Sequence, residues 1–185
     1  MALAQQEKIR ENEGEDTMKK KWIFPLLVVA VVLVGCSGKT KEEQSIKNEG
    51  VALMESKDYA GAIKKFDAAL KVKDLNKLNV PEIDILRYRA QAEYLAGDYA
   101  AADHTYTLLG EVDGDKTEYK NMRVICLSKE GNELDKAKAL FDETNALKDS
   151  GIGHKEALLE LGRAWAKKSS ESGDQSYLEQ AKALS

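Results

Sequence analysis

Two stretches of this sequence decide its fold, and they align with each other without a gap. Residues 50–66 read Gly-Val-Ala-Leu-Met-Glu-Ser-Lys-Asp-Tyr-Ala-Gly-Ala-Ile-Lys-Lys-Phe, and residues 90–106 read Ala-Gln-Ala-Glu-Tyr-Leu-Ala-Gly-Asp-Tyr-Ala-Ala-Ala-Asp-His-Thr-Tyr. Each contains a small residue, an Asp-Tyr pair, an alanine three residues after the tyrosine and an aromatic residue four positions later. Residues four apart share one face of a helix, so both stretches indicate helical structure.

Each stretch predicts a helical hairpin. The small residue that opens it, Gly50 or Ala90, leaves room for two helices to cross closely, and the Asp-Tyr pair marks the turn between them. One such hairpin cannot bury its apolar face alone, so neighbouring hairpins must stack against each other. The sequence therefore predicts an all-α domain built from repeated hairpins.

This pattern resembles the tetratricopeptide repeat, and the resemblance extends over most of residues 43–185. It implies a right-handed solenoid of about four helical hairpins. The family signature of a small residue, an aromatic, an alanine and a second aromatic falls in the first two copies on Gly50, Tyr59, Ala62, Phe66, Ala90, Tyr99, Ala102 and Tyr106. Less complete third and fourth copies supply Ala137, Phe141, Gly162 and Ala181.

The chain departs from a regular repeat in three places. The first two copies are 40 residues apart instead of about 34, and the excess falls at residues 76–81. The fourth copy carries an insertion at residues 168–176, between its two helices. The sequence stops at Ser185 inside what should be the last helix, so we expect an incomplete protein or an array that continues, because such arrays usually end in a capping helix.

The region before the repeats reads as a targeting segment. Three lysines at 19–21 precede an apolar run at 22–34, which has the length of a signal-peptide core and is short for a membrane span. The sequence Leu-Val-Gly-Cys that ends at Cys36 resembles the lipobox of bacterial lipoproteins. That resemblance implies that Cys36 carries a diacylglycerol thioether and becomes the amino terminus, with acyl chains holding the protein at a membrane.

These features divide the chain into four parts. Residues 1–17 are polar and acidic, so we expect a disordered or spurious extension before an initiator at Met18. Residues 18–35 are the expected lipoprotein signal peptide, 36–42 a flexible tether, and 43–185 the helical repeat domain. An uncleaved membrane anchor is the alternative for the apolar run, and both interpretations place the repeats at the extracytoplasmic face of a bacterial cell membrane.

Charge and composition narrow the function. The chain is 43% hydrophobic and 32% charged, and residues 1–35 carry five charges of each sign, so the remainder keeps the net charge of −4. Nucleic acid is an unsuitable partner for this surface, because phosphate binding needs concentrated positive charge. Charges of both signs alternate along the repeats, as they do on solvated helices.

No constellation in the sequence predicts catalysis, a metal site or a cofactor. His104 and His154 are far apart and have no ligand-type neighbours, so both are predicted to be surface residues. Cys126 lies in the apolar run Val-Ile-Cys-Leu and is predicted to be a core residue rather than a reactive thiol. We therefore expect a protein that is not an enzyme.

The resemblance implies a binding groove instead. In the family, the first helix of each hairpin lines a concave face that takes an extended peptide or a helix of a partner protein. Carried over, the groove residues are Lys47, Met54, Arg87, Gln91, Tyr94, Met122 and Arg163. Basic and amphipathic side chains of this kind are suited to a carboxylate and an apolar anchor of a bound segment.

The lipid address and the repeats together predict a scaffold or adaptor protein of the cell envelope. Two alternatives stay open at this point: a small-ligand or peptide-binding lipoprotein of a transport system, and an accessory part of a larger enzyme. A transport receptor would favour a two-lobed α/β pattern, and the sequence contains no strand-like runs.

Overall fold

The computed structural model describes residues 38–70, 77–147 and 149–184, with side chains from residue 41 onward. The expectations for the N-terminal extension, the signal peptide and Cys36 lie outside the described residues. Within them every regular element is a helix, so the all-α fold class is confirmed for this part of the chain. The eight helices are α1 (Gly38–Glu55), α2 (Tyr59–Leu70), α3 (Val80–Ala96), α4 (Tyr99–Val112), α5 (Thr117–Glu130), α6 (Leu134–Asn145), α7 (His154–Ser172) and α8 (Ser176–Lys182).

The Asp-Tyr turns form because an aspartate caps the second helix of each pair. The carboxylate of Asp58 accepts a hydrogen bond from the backbone N–H of Gly61 at 2.9 Å. In the second copy, the carboxylate of Asp98 accepts from the N–H of Ala101 at 3.1 Å. Satisfying these otherwise unpaired donors stabilises a helix start by about 1 kcal/mol. The residue before each aspartate has positive φ, and in the second copy it is Gly97.

Helix α3 has the clearest start signal in the chain. The side chain of Asn79 accepts from the N–H of Glu82 at 3.1 Å, and the side chain of Glu82 accepts in return from the N–H of Asn79 at 2.8 Å. Pro81 occupies the first turn, where its missing N–H costs nothing. Part of the excess predicted at residues 76–81 therefore belongs to α3 and its cap, whereas residues 71–76 lie outside the described ranges.

Packing follows the order of the chain. Each helix packs on the next one, and the main contacts beyond nearest neighbours join α1 to α3 and α5 to α7. The buried side chains form two clusters, one centred on Phe66 and Leu86 and the other on Phe141 and Trp165. The described helices thus form four successive pairs, α1–α2, α3–α4, α5–α6 and α7–α8, and every pair is in contact with the next.

The tightest interlock lies inside the first pair. Gly50 is buried, and a Cβ atom added there would fall within 2.7 Å of Phe66 Cζ and closer still to Cε1. Phe66 is fully buried, and its ring stacks on that of Tyr88 from α3 with 6.0 Å between centroids. The aromatic of the first pair therefore uses the space that a side chain at Gly50 would need.

Two sequence expectations are corrected at the ends of helices. The expected flexible tether is residues 36–42, but residues 38–42 belong to α1, which begins at Gly38 because the run that follows is rich in good helix formers. The insertion expected at residues 168–176 mostly lengthens α7, which continues to Ser172 and ends on Gly173 with φ of 74°. Helix α8 follows after a turn of three residues.

The interlock at Gly50 predicts a contrast between two glycines. Gly50→Ala should lower the free energy of unfolding by roughly 1–3 kcal/mol, because the new methyl group overlaps a buried ring. Gly162→Ala should raise it by about 0.5–1 kcal/mol, because helical Gly162 has nothing within 4 Å of the added Cβ. Urea unfolding followed by circular dichroism measures both, and equal effects at the two positions would contradict the packing described above.

Candidate partner-binding site

The residues expected to line a groove lie on the first helices of the pairs, and Lys47 is the first of them. Its ammonium group on α1 donates to the carboxylate of Asp84 on α3. The same nitrogen lies 5.1 Å from the centroid of the Tyr88 ring, also on α3. Lys47 thus bridges two helices, and it pairs with a carboxylate of its own chain.

Arg87 likewise pairs with groups of its own chain. Its Nε–H donates to the hydroxyl oxygen of Tyr119 on α5 at 2.7 Å, and its terminal nitrogen pairs with the carboxylate of Asp113. The hydroxyl of Tyr119 donates to Asp113, and Lys116 Nζ donates to the same carboxylate oxygen at 2.6 Å. Asp113, in the loop between α4 and α5, therefore collects three donors and ties α3 to α5.

These donors control the ionisation of Asp113. Burial by itself would raise the pKa of this carboxyl, but the hydrogen bonds from Lys116, Tyr119 and Arg87 favour the carboxylate and lower the pKa to about 2. Burial, together with the hydrogen bond to Asp113, raises the pKa of Tyr119 to about 12. The cluster therefore keeps a fixed charge pattern at neutral pH.

A third cluster of the same kind joins α5 to α7, and sequence reasoning missed its central residue. Lys129 Nζ lies 3.4 Å from Glu160 Oε2 and 5.7 Å from the centroid of the Tyr99 ring. Lys129 stands two helical turns after Met122, which the sequence did assign to the groove, so helical periodicity was the available signal. Arg163 pairs with the other oxygen of Glu160 at 2.7 Å and is 69% exposed.

The remaining groove candidates are apolar or amide side chains. Met54 is partly buried against the first core cluster, and Gln91 is exposed. Tyr94 and Met122 pack against both core clusters, where the two halves of the helical domain meet. The structure thus places the seven candidates on α1, α3, α5 and α7 without bringing them together into one cluster.

Glu93 is the most deeply buried carboxyl among the described residues that the sequence did not single out. It is 2% exposed, accepts from Thr105 Oγ1 at 2.6 Å and lies 3.2 Å from Arg89. Burial raises the pKa of this group. Because its two partners fix it between α3 and α4, we assign it to the packing of the second pair.

The two histidines differ. His104 is exposed, as predicted. His154 is half-buried: its ring stacks on Phe141 with 4.7 Å between centroids, and Nδ1 lies 3.4 Å from Thr144 Oγ1. The first turn of α7 lies against α6, and nothing in the sequence predicts this contact.

Cys126 is a buried core residue, as predicted. Burial raises the pKa of its thiol to about 12.

Two cavities border the last helices. An apolar one of ≈ 380 Å³ lies between α7 and α8, with Leu158, Gly162, Ala166, Ala181 and Leu184 in its walls. A smaller one of ≈ 220 Å³ lies beside the end of α5 and is lined by lysine and glutamate side chains.

The described residues contain no group of three or more His, Cys, Asp or Glu placed to hold a metal ion. Among them we also find no helix with the length and apolarity to cross a membrane.

A scan against models of known protein families finds no match, and a search of curated proteins finds no match either. The interpretation of the chain therefore depends on its own residues.

Asp113 predicts how stability depends on pH. Its pKa in the folded state, about 2, lies below the value of about 3.9 expected in the unfolded chain. Its stabilising contribution is therefore present above pH ~4 and is lost as the pH falls from about 4 to about 2. Asp113→Asn should lower the free energy of unfolding at pH 7 by about 1–2 kcal/mol. It should also flatten the acid limb, which is the fall in stability between about pH 4 and about pH 2.

Asp115→Asn is the matched control in the same loop. Asp115 is 71% exposed and pairs with Lys120, so its loss should change stability by less than about 0.5 kcal/mol. Urea unfolding at a series of pH values compares the three proteins. An acid limb in Asp113→Asn as steep as in the wild type would contradict the assignment.

Proposed function

We propose that this chain is a lipid-anchored helical-repeat protein of the extracytoplasmic membrane face, and that it works as a non-catalytic adaptor that holds a partner protein of the cell envelope. We further propose that the four helix pairs form a right-handed solenoid of the tetratricopeptide-repeat type. The observation that carries the adaptor role and the solenoid is the repeat itself, since a duplicated hairpin that packs in chain order is suited to presenting an extended binding surface.

The packing of the described helices supports the solenoid. Contacts join neighbours along the chain, which is the behaviour expected when each hairpin buries its face against the next. Asp58 and Asp98 cap equivalent helices, and Lys57 has the positive φ that Gly97 has in the second copy. The duplication thus extends from the sequence to the details of the backbone.

The sequence of residues 18–36 supports the lipid anchor. Basic, apolar and Leu-Val-Gly-Cys segments follow one another in the order that a lipoprotein signal requires. Each acyl methylene that enters the bilayer contributes about 0.8 kcal/mol, and two chains give stable anchoring. Because α1 begins at Gly38, such an anchor would hold the helical domain close to the membrane surface.

The first helices also carry exposed apolar side chains that suit a partner. Leu95 on α3 is 43% exposed and lies one turn after Gln91, and Leu159 on α7 is 55% exposed and lies one turn before Arg163. Apolar anchors with polar neighbours are typical of the centres of protein interfaces. These four residues are our choice for the contact surface of the partner.

Site-specific photo-crosslinking in intact cells tests the proposal. A crosslinking amino acid at Gln91, Leu95 or Leu159 should give one and the same adduct, identified by mass spectrometry as an envelope protein. The matched control positions Lys64, His104 and Ala139 are exposed on the second helices α2, α4 and α6. The same adduct from both sets, or no adduct from the first set, would contradict an adaptor that binds through its first helices.

A further inference from the structure

The contacts between successive first helices share one design. At each of the three junctions, a basic side chain meets a carboxylate and a tyrosine ring. Lys47 meets Asp84 and Tyr88 between α1 and α3, and Arg87 meets Asp113 and Tyr119 between α3 and α5. Lys129 on α5 meets Glu160 on α7, and the tyrosine ring at this junction is that of Tyr99 at the start of α4. We call these three groups the junction clusters.

A second line of contacts joins the pairs on their other side. Arg89 on α3 pairs with Asp67 on α2, with 2.7 Å between Nε and Oδ1. Arg123 on α5 pairs with Asp103 on α4, with 2.9 Å between the corresponding atoms. The first two junctions are therefore each held at two places, once between first helices and once between a first helix and the preceding second helix.

Two separate lines of contact between neighbouring helix pairs define the angle between those pairs. If the contacts between first helices weaken while the apolar packing of α2 on α3 and of α4 on α5 keeps the pairs together, the pairs can change their angle about that packing. The bases of the junction clusters are partly exposed, Lys47 by 19%, Lys129 by 25% and Arg87 by 41%. Ion pairs that are only partly exposed attract each other more strongly than fully exposed ones. Dissolved ions still reach such ion pairs and screen them.

We propose that the junction clusters set the angle between successive helix pairs, so that the curvature of the helical domain responds to ionic strength. This inference rests on the proposed solenoid and adds a property that the adaptor role does not require. The clusters also neutralise the basic residues of the first helices with carboxylates of the same chain. A change in angle therefore alters the width of the surface that carries Leu95 and Leu159 and leaves its net charge unchanged.

Pulsed electron paramagnetic resonance measures the angle directly. Spin labels at exposed Ala52→Cys on α1 and exposed Ser170→Cys on α7 report the distance across all three junctions. The full chain, purified in detergent, carries Cys36→Ser so that no unlipidated Cys36 thiol competes for the label, and Cys126 stays unlabelled because it is buried. The Debye length falls from about 10 Å at 0.1 M salt to about 3 Å at 1 M, so the two conditions bracket the screening of the clusters.

The wild-type distance distribution should shift and broaden between low and high salt. The triple variant Lys47→Gln, Arg87→Gln, Lys129→Gln should show the broad distribution already at low salt and respond no further. A matched triple variant, Lys65→Gln, Lys138→Gln, Lys167→Gln, removes the same charge from ion pairs within one helix or one pair. It should behave like the wild type.

Three results would overturn the inference. The first is a wild-type distribution that is unchanged between the two salt concentrations, a measurement that requires no variant to fold. The second is a cluster variant that keeps the wild-type distribution and helix content, and the third is an equal change in the matched variant. None of these involves a partner, so a failure here is distinguishable from a failure of the crosslinking experiment.

Discussion

The contact between Gly50 and Phe66 is the constraint on which the rest of the helical domain depends. Phe66 has no exposed surface, and its ring fills the space beside the backbone of Gly50. Helices α1 and α2 can therefore cross this closely only with a glycine at position 50. The Phe66 ring then stacks on Tyr88 and carries the first pair onto the second. A close crossing within a pair thus becomes a defined contact between pairs.

The packing around the small residue of each helix pair changes along the chain. Ala90 and Tyr106 occupy the equivalent positions in the second pair, and both are buried in the first core cluster. At Gly162 the position is open, and an apolar cavity lies beside it. Packing around the small residue is therefore complete at the first pair and incomplete at the last, which accounts for the contrast between two glycines that look equivalent in the sequence.

Much of this architecture could be predicted because it depends on local chemistry. The Asp-Tyr turns, the buried alanines Ala62 and Ala102 and the core position of Cys126 follow from spacing and polarity alone. The stacking of His154 on Phe141 could not be predicted, because it depends on which side chains meet across elements. Tertiary contacts of this kind leave no periodic trace in a single sequence.

The residues predicted to line a groove show the same division. The resemblance to the tetratricopeptide repeat implied that Lys47 and Arg87 lie on the first helices, and the structure has them there. It could not indicate that each pairs with a carboxylate 37 or 26 residues away in the same chain. Lys129 was missed for the related reason that its neighbours Tyr99 and Glu160 come from other helices. Basic residues on a repeated face are therefore poor markers of a free binding site until their own carboxylates are located.

The proposed role depends most on the claim that the helical domain is held at a membrane through Cys36. Intact-mass spectrometry of the membrane fraction from cells that express the full chain, beside a Cys36→Ala variant, tests this claim directly. The account predicts a chain that starts at Cys36 with the mass of a diacylglycerol added, and loss of that species in the variant. An unmodified chain that starts at Met1 or Met18 and is found in the soluble fraction would contradict it.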